Sequence, residues 1–276
     1  MLKENVAVIT GANRGIGLST VEVFAREHAT IWACARQKSD EFEEKIKEIS
    51  RKFGSNITPV YFDVAHPDEI KFSMKQIGTI SKKIDILVNN AGVSVETFFN
   101  MTTPEVMQHT MNVNFLAQVQ LAQIASRYMM KQKKGSIVNI ASVSGIVSKQ
   151  GGMAYGSSKA AVIFATKTMA QELGKYGIRV NSVSPGFIDT DMWINRDDAV
   201  RNEILAKTPL GRIGLPEEVA ETILFLASDK SSYITSQNII VDGGRMGGES
   251  RLDICISPET LTSLSLILNS ENTKGE

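Results

Sequence analysis

The chain has 276 residues, with 30 acidic and 30 basic side chains, so its formal net charge is zero. This length suffices for a real hydrophobic core, and the charge balance argues against nucleic acid or an anionic membrane as the main partner. Its two cysteines, Cys34 and Cys255, are too far apart in sequence to suggest a disulfide framework, which favours a reducing compartment. No secretory leader pattern and no apolar run of about 18 residues is seen. We therefore expect a cytoplasmic protein without a membrane partner.

Short runs rich in valine and isoleucine alternate with helical patterns along residues 1–248. Several runs are almost wholly apolar, as expected of parallel strands that are covered on both faces. The predicted strands are residues 6–10, 30–35, 58–63, 85–90, 136–142, 179–185 and 238–244. Alternation of strands and helices predicts an α/β protein, a three-layer doubly wound Rossmann fold with a seven-stranded, mostly parallel sheet. We assign this fold to one domain, residues 1–248.

Residues 249–276 follow the glycine-rich sequence GGRMGG and form a separate tail. The apolar part of the tail, residues 261–268, is too short to span a bilayer. Two interpretations remain open for the tail: a flexible end, or a small element that docks on a partner subunit.

The turn between the first strand and the first helix has the sequence TGANRGIG, residues 10–17. Glycines there let the backbone approach a pyrophosphate, and the helix N-terminus supplies free N–H groups and partial positive charge. We therefore predict a dinucleotide site, the alternative being a turn that needs glycine only for packing. The candidate residues in this turn are Gly11, Asn13, Arg14, Gly15, Ile16 and Gly17.

The end of the second strand indicates which dinucleotide binds. NAD sites place an acid there for the ribose 2′-hydroxyl, and NADP sites use an arginine for the 2′-phosphate. Here the strand ends at Arg36, no acid follows before Asp40, and Arg14 lies in the glycine turn. Two guanidinium groups can clamp a phosphate, so we predict NADP(H), the alternative being a solvated Arg36. At the fourth strand, Asn90, Ala91 and Gly92 allow close approach of the ribose.

Tyr155 and Lys159 are four residues apart, so on a helix both side chains lie on one face. A nearby ammonium favours the phenolate and lowers the pKa of a tyrosine, which would suit a general acid or base. Ser142 lies at the end of a predicted strand, thirteen residues before Tyr155. The alternative is an ordinary surface pair of tyrosine and lysine beside a strand-end serine.

Taken together and in this order, the motifs resemble those of the short-chain dehydrogenase/reductase family in its compact single-domain form. The resemblance rests on TGANRGIG, NNAG at 89–92, Asn114, Ser142, Tyr155, Lys159, Pro185, Gly186 and VDGG at 241–244. Within the family, residues 185–192, 208–229 and 233–244 are most similar to the group of 3-oxoacyl-[acyl-carrier-protein] reductases.

The resemblance implies a catalytic role for four residues. Tyr155 would donate a proton to a carbonyl oxygen as hydride arrives from the nicotinamide, while Lys159 would lower the Tyr155 pKa and bind the nicotinamide ribose. Ser142 would hold the carbonyl, and Asn114 would anchor a water that links Lys159 to solvent. The alternative for Asn114 is a purely structural role, in which its amide only holds a helix kink in place.

Further cofactor contacts are implied by the same resemblance. Ile188 and Thr190 would hold the nicotinamide carboxamide through backbone and hydroxyl, and Pro185 and Gly186, which precede them, are also expected to bind the cofactor. Asp63 and Val64 would lie against adenine, with helix capping as the alternative for Asp63.

We also interpret residues 191–212, which carry Met192, Trp193 and Ile194, as a substrate lid, the alternative being a plain surface loop.

The expected function is NADPH-dependent reduction of a ketone to a secondary alcohol, in the first place of a 3-oxoacyl thioester in fatty acid biosynthesis. One alternative is a dehydrogenase of a sugar, polyol, steroid or xenobiotic ketone, and a remote one is a non-catalytic NADP-binding regulator. No metal site is predicted.

The expected partners are an acyl carrier protein and further copies of the chain. In the group of 3-oxoacyl reductases, docking of the acyl carrier protein uses basic residues at two places. The resemblance implies Lys133 and Lys134 at the first and Lys175 at the second, where Tyr176 replaces an arginine. Helices around 103–131 and 153–176 pair across a two-fold axis in the family, so we expect a homotetramer, with a dimer as the alternative. A monomer would leave Phe164, Met169 and Leu121 partly exposed.

Overall fold

The structure is a computed structural model that describes residues 1–190 and 198–249. Within these residues, seven strands form one sheet in the order β3-β2-β1-β4-β5-β6-β7, and neighbouring strands pair in parallel. The strands are β1 (Val6–Thr10), β2 (Thr30–Ala35), β3 (Ile57–Tyr61), β4 (Ile86–Asn89), β5 (Gly135–Ile140), β6 (Ile178–Pro185) and β7 (Asn238–Val241). The predicted α/β fold is confirmed, and the described sheet is parallel throughout.

Helices connect the strands and cover both faces of the sheet. They are α1 (Gly15–Arg26), α2 (Asp40–Phe53), α3 (Pro67–Ser81), α4 (Pro104–Met111), α5 (Ala117–Gln132), α6 (Met153–Leu173), α7 (Asp198–Ala206), α8 (Pro216–Ala227) and α9 (Arg245–Glu249). A π-helical turn, Asn112–Leu116, joins α4 to α5.

Two hydrophobic cores lie on opposite sides of the sheet, because successive side chains of a strand point to opposite faces. In β1, Ala7 and Ile9 pack with α1, α2 and α8, whereas Val6 and Val8 pack with α3, α5 and α6. Every residue of β1 is therefore buried, which explains the continuous apolar runs in the sequence.

Local signals in the sequence fix where the helices begin and end. The Ser39 hydroxyl accepts a hydrogen bond from the Phe42 N–H at 3.2 Å and caps α2, and Gly54 ends that helix in a left-handed conformation with φ 64°. Prolines open α3, α4 and α8, where a missing N–H has no cost. Among the described residues, no helix is long and apolar enough to cross a membrane.

The strand order reverses between β1 and β4, which lie side by side with Ala7 opposite Ile86. The connection after β1 runs to one side of the sheet and the connection after β4 runs to the other, so a crevice opens at their carboxyl ends. Met192, Trp193 and Ile194 of the predicted lid and residues 250–276 of the predicted tail lie outside the described residues.

Candidate active site

A cavity of about 400 Å³ lies at this carboxyl edge of the sheet. Every predicted site residue except Gly17 and Asn114 lines it, although these residues come from seven separate stretches of chain. The structure thus gathers the predicted groups in the crevice where parallel sheets bind ligands.

The glycine turn at one end of the cavity is held tightly against the end of β4. A Cβ on Gly11, whose φ is 65°, would lie 2.8 Å from Asn90 Nδ2, and a Cβ on Gly17 would collide with the Gly11 carbonyl oxygen. Asn90 Nδ2 donates to the carbonyl oxygens of Thr10 at 3.0 Å and Gly11 at 3.1 Å. Gly17 therefore lies directly behind the turn, where a larger residue would displace Gly11. The amide of Asn90 stabilises the turn through its two hydrogen bonds.

The electrostatics of this turn suit an anion. Helix α1 begins at Gly15 directly after Arg14, and its first turn contains no acidic residue. The unpaired N–H groups of that turn and the helix dipole favour negative charge. Arg36 is exposed at the end of β2 and lines the same cavity, and no described residue gives it a hydrogen bond or ion pair. The backbone cradle and the two arginines fit a dinucleotide phosphate.

Asp63 and Val64 line the cavity after β3. Asp63 Oδ1 accepts a hydrogen bond from the Ala65 N–H at 2.8 Å, and Pro67 then opens α3. The carboxylate therefore stabilises the turn before the helix without capping it, because the N-cap residue of α3 is His66 and no side chain caps it; contact of Asp63 with adenine stays a prediction.

Tyr155 and Lys159 lie one turn apart near the start of α6, with the Lys159 Nζ 5.7 Å from the centre of the tyrosine ring. Lys159 Nζ donates to the Ile140 carbonyl oxygen at 2.8 Å, at the end of β5. Ser142 follows two residues later, and its Oγ accepts a hydrogen bond from the Ser144 N–H at 3.1 Å. A hydroxyl, a phenol and an ammonium thus meet at one end of the cavity.

Burial dominates the titration of both ionisable groups. It raises the pKa of Tyr155, a hydrogen bond with Ser142 lowers it in part, and the charge of Glu96 raises it further. Burial also lowers the pKa of Lys159 to about 8. Burial therefore holds the Tyr155 pKa above its ordinary value here, and a lowering of that pKa by Lys159 stays a prediction.

Asn114 lies behind the cavity wall, in the π-helical turn, and both of its amide hydrogens and its amide oxygen form hydrogen bonds. Nδ2 donates to the Val93 carbonyl oxygen at 2.9 Å and to Ser158 Oγ at 3.0 Å, and Oδ1 accepts from the Val93 N–H at 2.8 Å. The amide therefore connects the π-helical turn to the segment after β4 and to α6. This is a structural role, of the kind that the sequence left open as the alternative for Asn114.

The segment after β6 closes the cavity on the other side. Ile188 pairs with Gly214 in a short parallel bridge, and the Asp189 N–H donates to the Gly214 carbonyl oxygen at 2.8 Å. This bridge brings Thr190 over the glycine turn, where a Cβ on Gly15 would lie 3.2 Å from Thr190 Cγ2.

Sequence reasoning missed several residues of the cavity wall. His109 and Val113 line it from one face of the continuous α4–α5 helix, and their four-residue spacing was a usable signal. The others lie at or just beyond strand ends: Thr10, Cys34, Ala35, Phe62, Val93, Ile140 and Ala141. Their positions follow from the rule that parallel strands bind ligands at their carboxyl ends.

Comparison with known proteins agrees with this fold. A family model described as enoyl-(acyl carrier protein) reductase matches residues 11–245. The chain belongs to the short-chain dehydrogenase/reductase family, and it is an oxidoreductase that uses a nicotinamide cofactor.

Individual relatives cover nearly the whole domain. A 3-oxoacyl-[acyl-carrier-protein] reductase of Thermotoga maritima is 42% identical over 243 residues, which are 88% of this chain and 98% of the relative. A 3α-hydroxysteroid dehydrogenase of Mediterraneibacter gnavus is 38% identical over 88% of this chain and 97% of its own length. Among solved structures, a protein from Sinorhizobium meliloti described as a short-chain alcohol dehydrogenase has a TM-score of 0.85 and 29% identity. That match covers 89% of this chain and 98% of the other.

Proposed function

We propose that this protein is an NADPH-dependent reductase of 3-oxoacyl thioesters, with acyl carrier protein as the carrier, acting in fatty acid biosynthesis. The observation that carries the proposal is the meeting of Ser142, Tyr155 and Lys159 at one end of a cavity whose other end is the glycine turn. The identity to 3-oxoacyl-[acyl-carrier-protein] reductases over 88% of the chain supports this choice of substrate.

A reduced nicotinamide, when bound, supplies hydride to the carbon of a ketone. In the proposed reaction, Tyr155 donates its phenolic proton to the carbonyl oxygen, on which negative charge develops. The raised pKa of Tyr155 keeps that proton in place at neutral pH. Ser142 donates its hydroxyl hydrogen to the same oxygen and orients the carbonyl.

Lys159 restores the proton that Tyr155 gives away. A pKa of about 8 lets its ammonium lose and regain a proton near neutral pH at small cost. Lys159 would also hold a ribose hydroxyl of the bound cofactor, since it lines the cavity beside Gly92, where a Cβ would be 3.5 Å from Nζ. Asn114 acts by holding Val93 and Ser158, and so the wall, in place.

The preference for NADPH is part of the proposal. Arg36 and Arg14 line the end of the cavity at β1 and β2, where a 2′-phosphate belongs, and guanidinium groups bind phosphate oxygens in a fork geometry.

The resemblance to the 3-oxoacyl reductases implies that an acyl carrier protein docks on basic residues. Lys134 forms an ion pair with Asp229 at 2.8 Å, and Lys175 lies 5.2 Å from the centre of the Tyr176 ring. Lys133 and Lys134 form the first proposed docking place and Lys175 the second; all three are exposed. The proposed enzyme is a homotetramer in the cytoplasm.

The direct test is oxidation of NADPH and NADH by the purified protein with acetoacetyl-coenzyme A, followed by absorbance. Fast loss of NADPH and slow loss of NADH are expected. Absence of turnover while NADPH still binds would reject the thioester proposal.

A steroid ketone is the second candidate, because the hydroxysteroid dehydrogenase of Mediterraneibacter gnavus is 38% identical over 88% of this chain. The kcat/KM for a 3-ketosteroid, measured beside that for acetoacetyl-coenzyme A, separates the two. Failure with both substrates and with sugar, polyol and diketone panels would favour a non-catalytic NADP-binding protein.

A further inference from the structure

Two chain segments meet beside the catalytic residues and are joined by a latch, which we define as Glu96, Thr97, Lys149, Gly151 and Gly152. Lys149 Nζ lies 2.5 Å from Glu96 Oε1. The Thr97 N–H donates to the Gly151 carbonyl oxygen at 3.1 Å, and Thr97 pairs with Gly152 in a short parallel bridge. The latch therefore ties the connection between β4 and α4 to the connection between β5 and α6.

Each side of the latch is shaped by its own local interactions. Gly151 has a φ of 73°, and the Gly152 N–H donates to the Lys149 carbonyl oxygen at 3.1 Å, so the chain turns sharply here. On the other side, Thr97 Oγ1 and Thr102 Oγ1 are 2.7 Å apart and share a hydrogen bond. Both sides are thus held in shape, and the ion pair and bridge fix the distance between them.

The latch adjoins the predicted catalytic residues along the chain. Gly152 directly precedes α6, so Tyr155 lies in the first turn beyond the latch, and Ser142 begins the same connection at its other end. Glu96 is near enough that its charge acts on the pKa of Tyr155. A displacement of this connection would move the phenol and the serine hydroxyl relative to each other.

We propose that Glu96 and Lys149 are positioning residues for the reduction. Their ion pair holds the two connections at the separation that places Tyr155 and Ser142 around the carbonyl oxygen of the substrate. This inference rests on the proposed reductase function of the same site. Reactions of this kind are sensitive to misplacement, since about 1 Å of displacement can cost roughly 100-fold in rate.

The test uses the full chain with Glu96→Gln, with Lys149→Met, and with the reversed pair E96K/K149E. Each single change is expected to lower kcat for acetoacetyl-coenzyme A about tenfold, with the Kd for NADPH within about twofold of the wild type. The reversed pair is expected to regain most of the lost kcat, because the two residues act through each other. Lys52→Met, which breaks the 2.8 Å pair of Lys52 and Glu22 on α2 and α1, is the matched control and should leave kcat unchanged.

A measurement without substrate separates failure of the latch from failure of the proposed function. The Thr97 amide is hydrogen-bonded across the latch, so its hydrogen exchange should accelerate in both single variants and recover in the reversed pair. If the wild type reduces no thioester, the proposed function is wrong. The hydrogen exchange of the Thr97 amide then still shows whether Glu96 and Lys149 hold the two connections together. Unchanged exchange and kcat in the single variants, or a reversed pair as impaired as they are, would overturn the inference.

Discussion

Tyr155 and Lys159 show how burial sets the chemistry of single residues. Removing both from water favours their neutral forms, so the pKa of the phenol rises and the pKa of the ammonium falls to about 8. A donor that stays protonated at neutral pH and a lysine that exchanges protons readily are what ketone reduction requires. The sequence showed the pairing, but the balance between neighbouring charge and desolvation depends on burial, which no local motif specifies.

We expect Tyr155→Phe to abolish reduction while NADPH still binds, because the ring remains and only the proton donor is lost. The kcat should fall about 100- to 10,000-fold. Steady-state kinetics and fluorescence titration with NADPH measure the two effects, and Tyr176→Phe on the surface is the control. Normal turnover by the variant would show that another group donates the proton.

We expect the stability of the wild type to rise with pH in a window set by Lys159. Its folded-state pKa of about 8 lies below the ordinary value of 10.5, so between these values the unfolded chain binds more protons than the folded one. Below pH 8 the buried charge of Lys159 lowers the free energy of unfolding by about 3 kcal/mol, and this loss vanishes as pH rises towards 10.5.

The stability difference between Lys159→Met and the wild type should therefore shrink as pH rises from 8 to 10.5. Urea unfolding at several pH values measures it, with Lys167→Met, an exposed change on α6, as control. A stability difference that is constant with pH would contradict the lowered pKa of Lys159.

We expect Arg36→Asp to move cofactor preference from NADPH towards NADH, because an acid repels the 2′-phosphate and accepts a hydrogen bond from a 2′-hydroxyl. Loss of a charged hydrogen bond should raise the Kd for NADPH roughly 10- to 100-fold. Calorimetric titration with both cofactors measures this, and Arg127→Asp, exposed on α5, is the control. Unchanged NADPH affinity would refute the role of Arg36.

At the scale of elements, Arg179 of β6 joins the sheet to the end of α8. Its guanidinium donates to the carbonyl oxygens of Leu226 at 2.8 Å and Ser228 at 3.0 Å, and to Ser231 Oγ at 2.8 Å. Helix ends leave carbonyl groups without partners, and a cation there also offsets the helix dipole. Burial lowers the Arg179 pKa, with Asp229 acting in the opposite direction.

We expect Arg179→Leu to lower the free energy of unfolding by about 2–4 kcal/mol, because the carbonyl oxygens of Leu226 and Ser228 lose their charged donor and keep only neutral ones. Thermal and urea unfolding measure the loss, with Arg127→Leu as the exposed control. A loss no larger than that of the control would mean that water replaces the guanidinium.

The strands and helices could be predicted because the sequence patterns that indicate them are local. The residues at which the strands end could not be predicted. Predicted strands ran past the observed ends at Asp63, Ser142 and Gly244, where the chain leaves the sheet to build the cavity. Beyond the strand ends, side chains rather than neighbouring strands bond the backbone. Asp63, for example, accepts a hydrogen bond from the Ala65 N–H. The latch was not predicted either, since Glu96 and Lys149 are brought together only by the packing of two connections.

At the scale of the whole molecule, the exposed apolar side chains indicate where copies of the chain would meet. Phe164 on α6 is 74% exposed and Leu116 in the π-helical turn is 49% exposed. The expectation for Leu121 was wrong, because it is buried within its own chain, and Met169 packs partly against the core. The proposal of a dimer-forming helix face therefore rests on Phe164 and Leu116.

We expect Phe164→Glu to lower the oligomeric state in light scattering after gel filtration, because burying such a side chain contributes about 1.5–3 kcal/mol per copy. Phe72→Glu is the control, since Phe72 is 64% exposed on α3, which is not one of the two helices of the proposed interface. A wild type that elutes as a monomer at micromolar concentration would end the tetramer proposal.

The position of β1 in the centre of the sheet also has a consequence for how the chain folds. β1 pairs with β2 and with β4, so the second neighbour of residues 6–10 lies about 80 positions further along the chain. During synthesis, the apolar β1 and β2 segments must wait until β4 has left the ribosome. Long-range parallel pairing of this kind slows folding and lengthens the time in which such segments can aggregate.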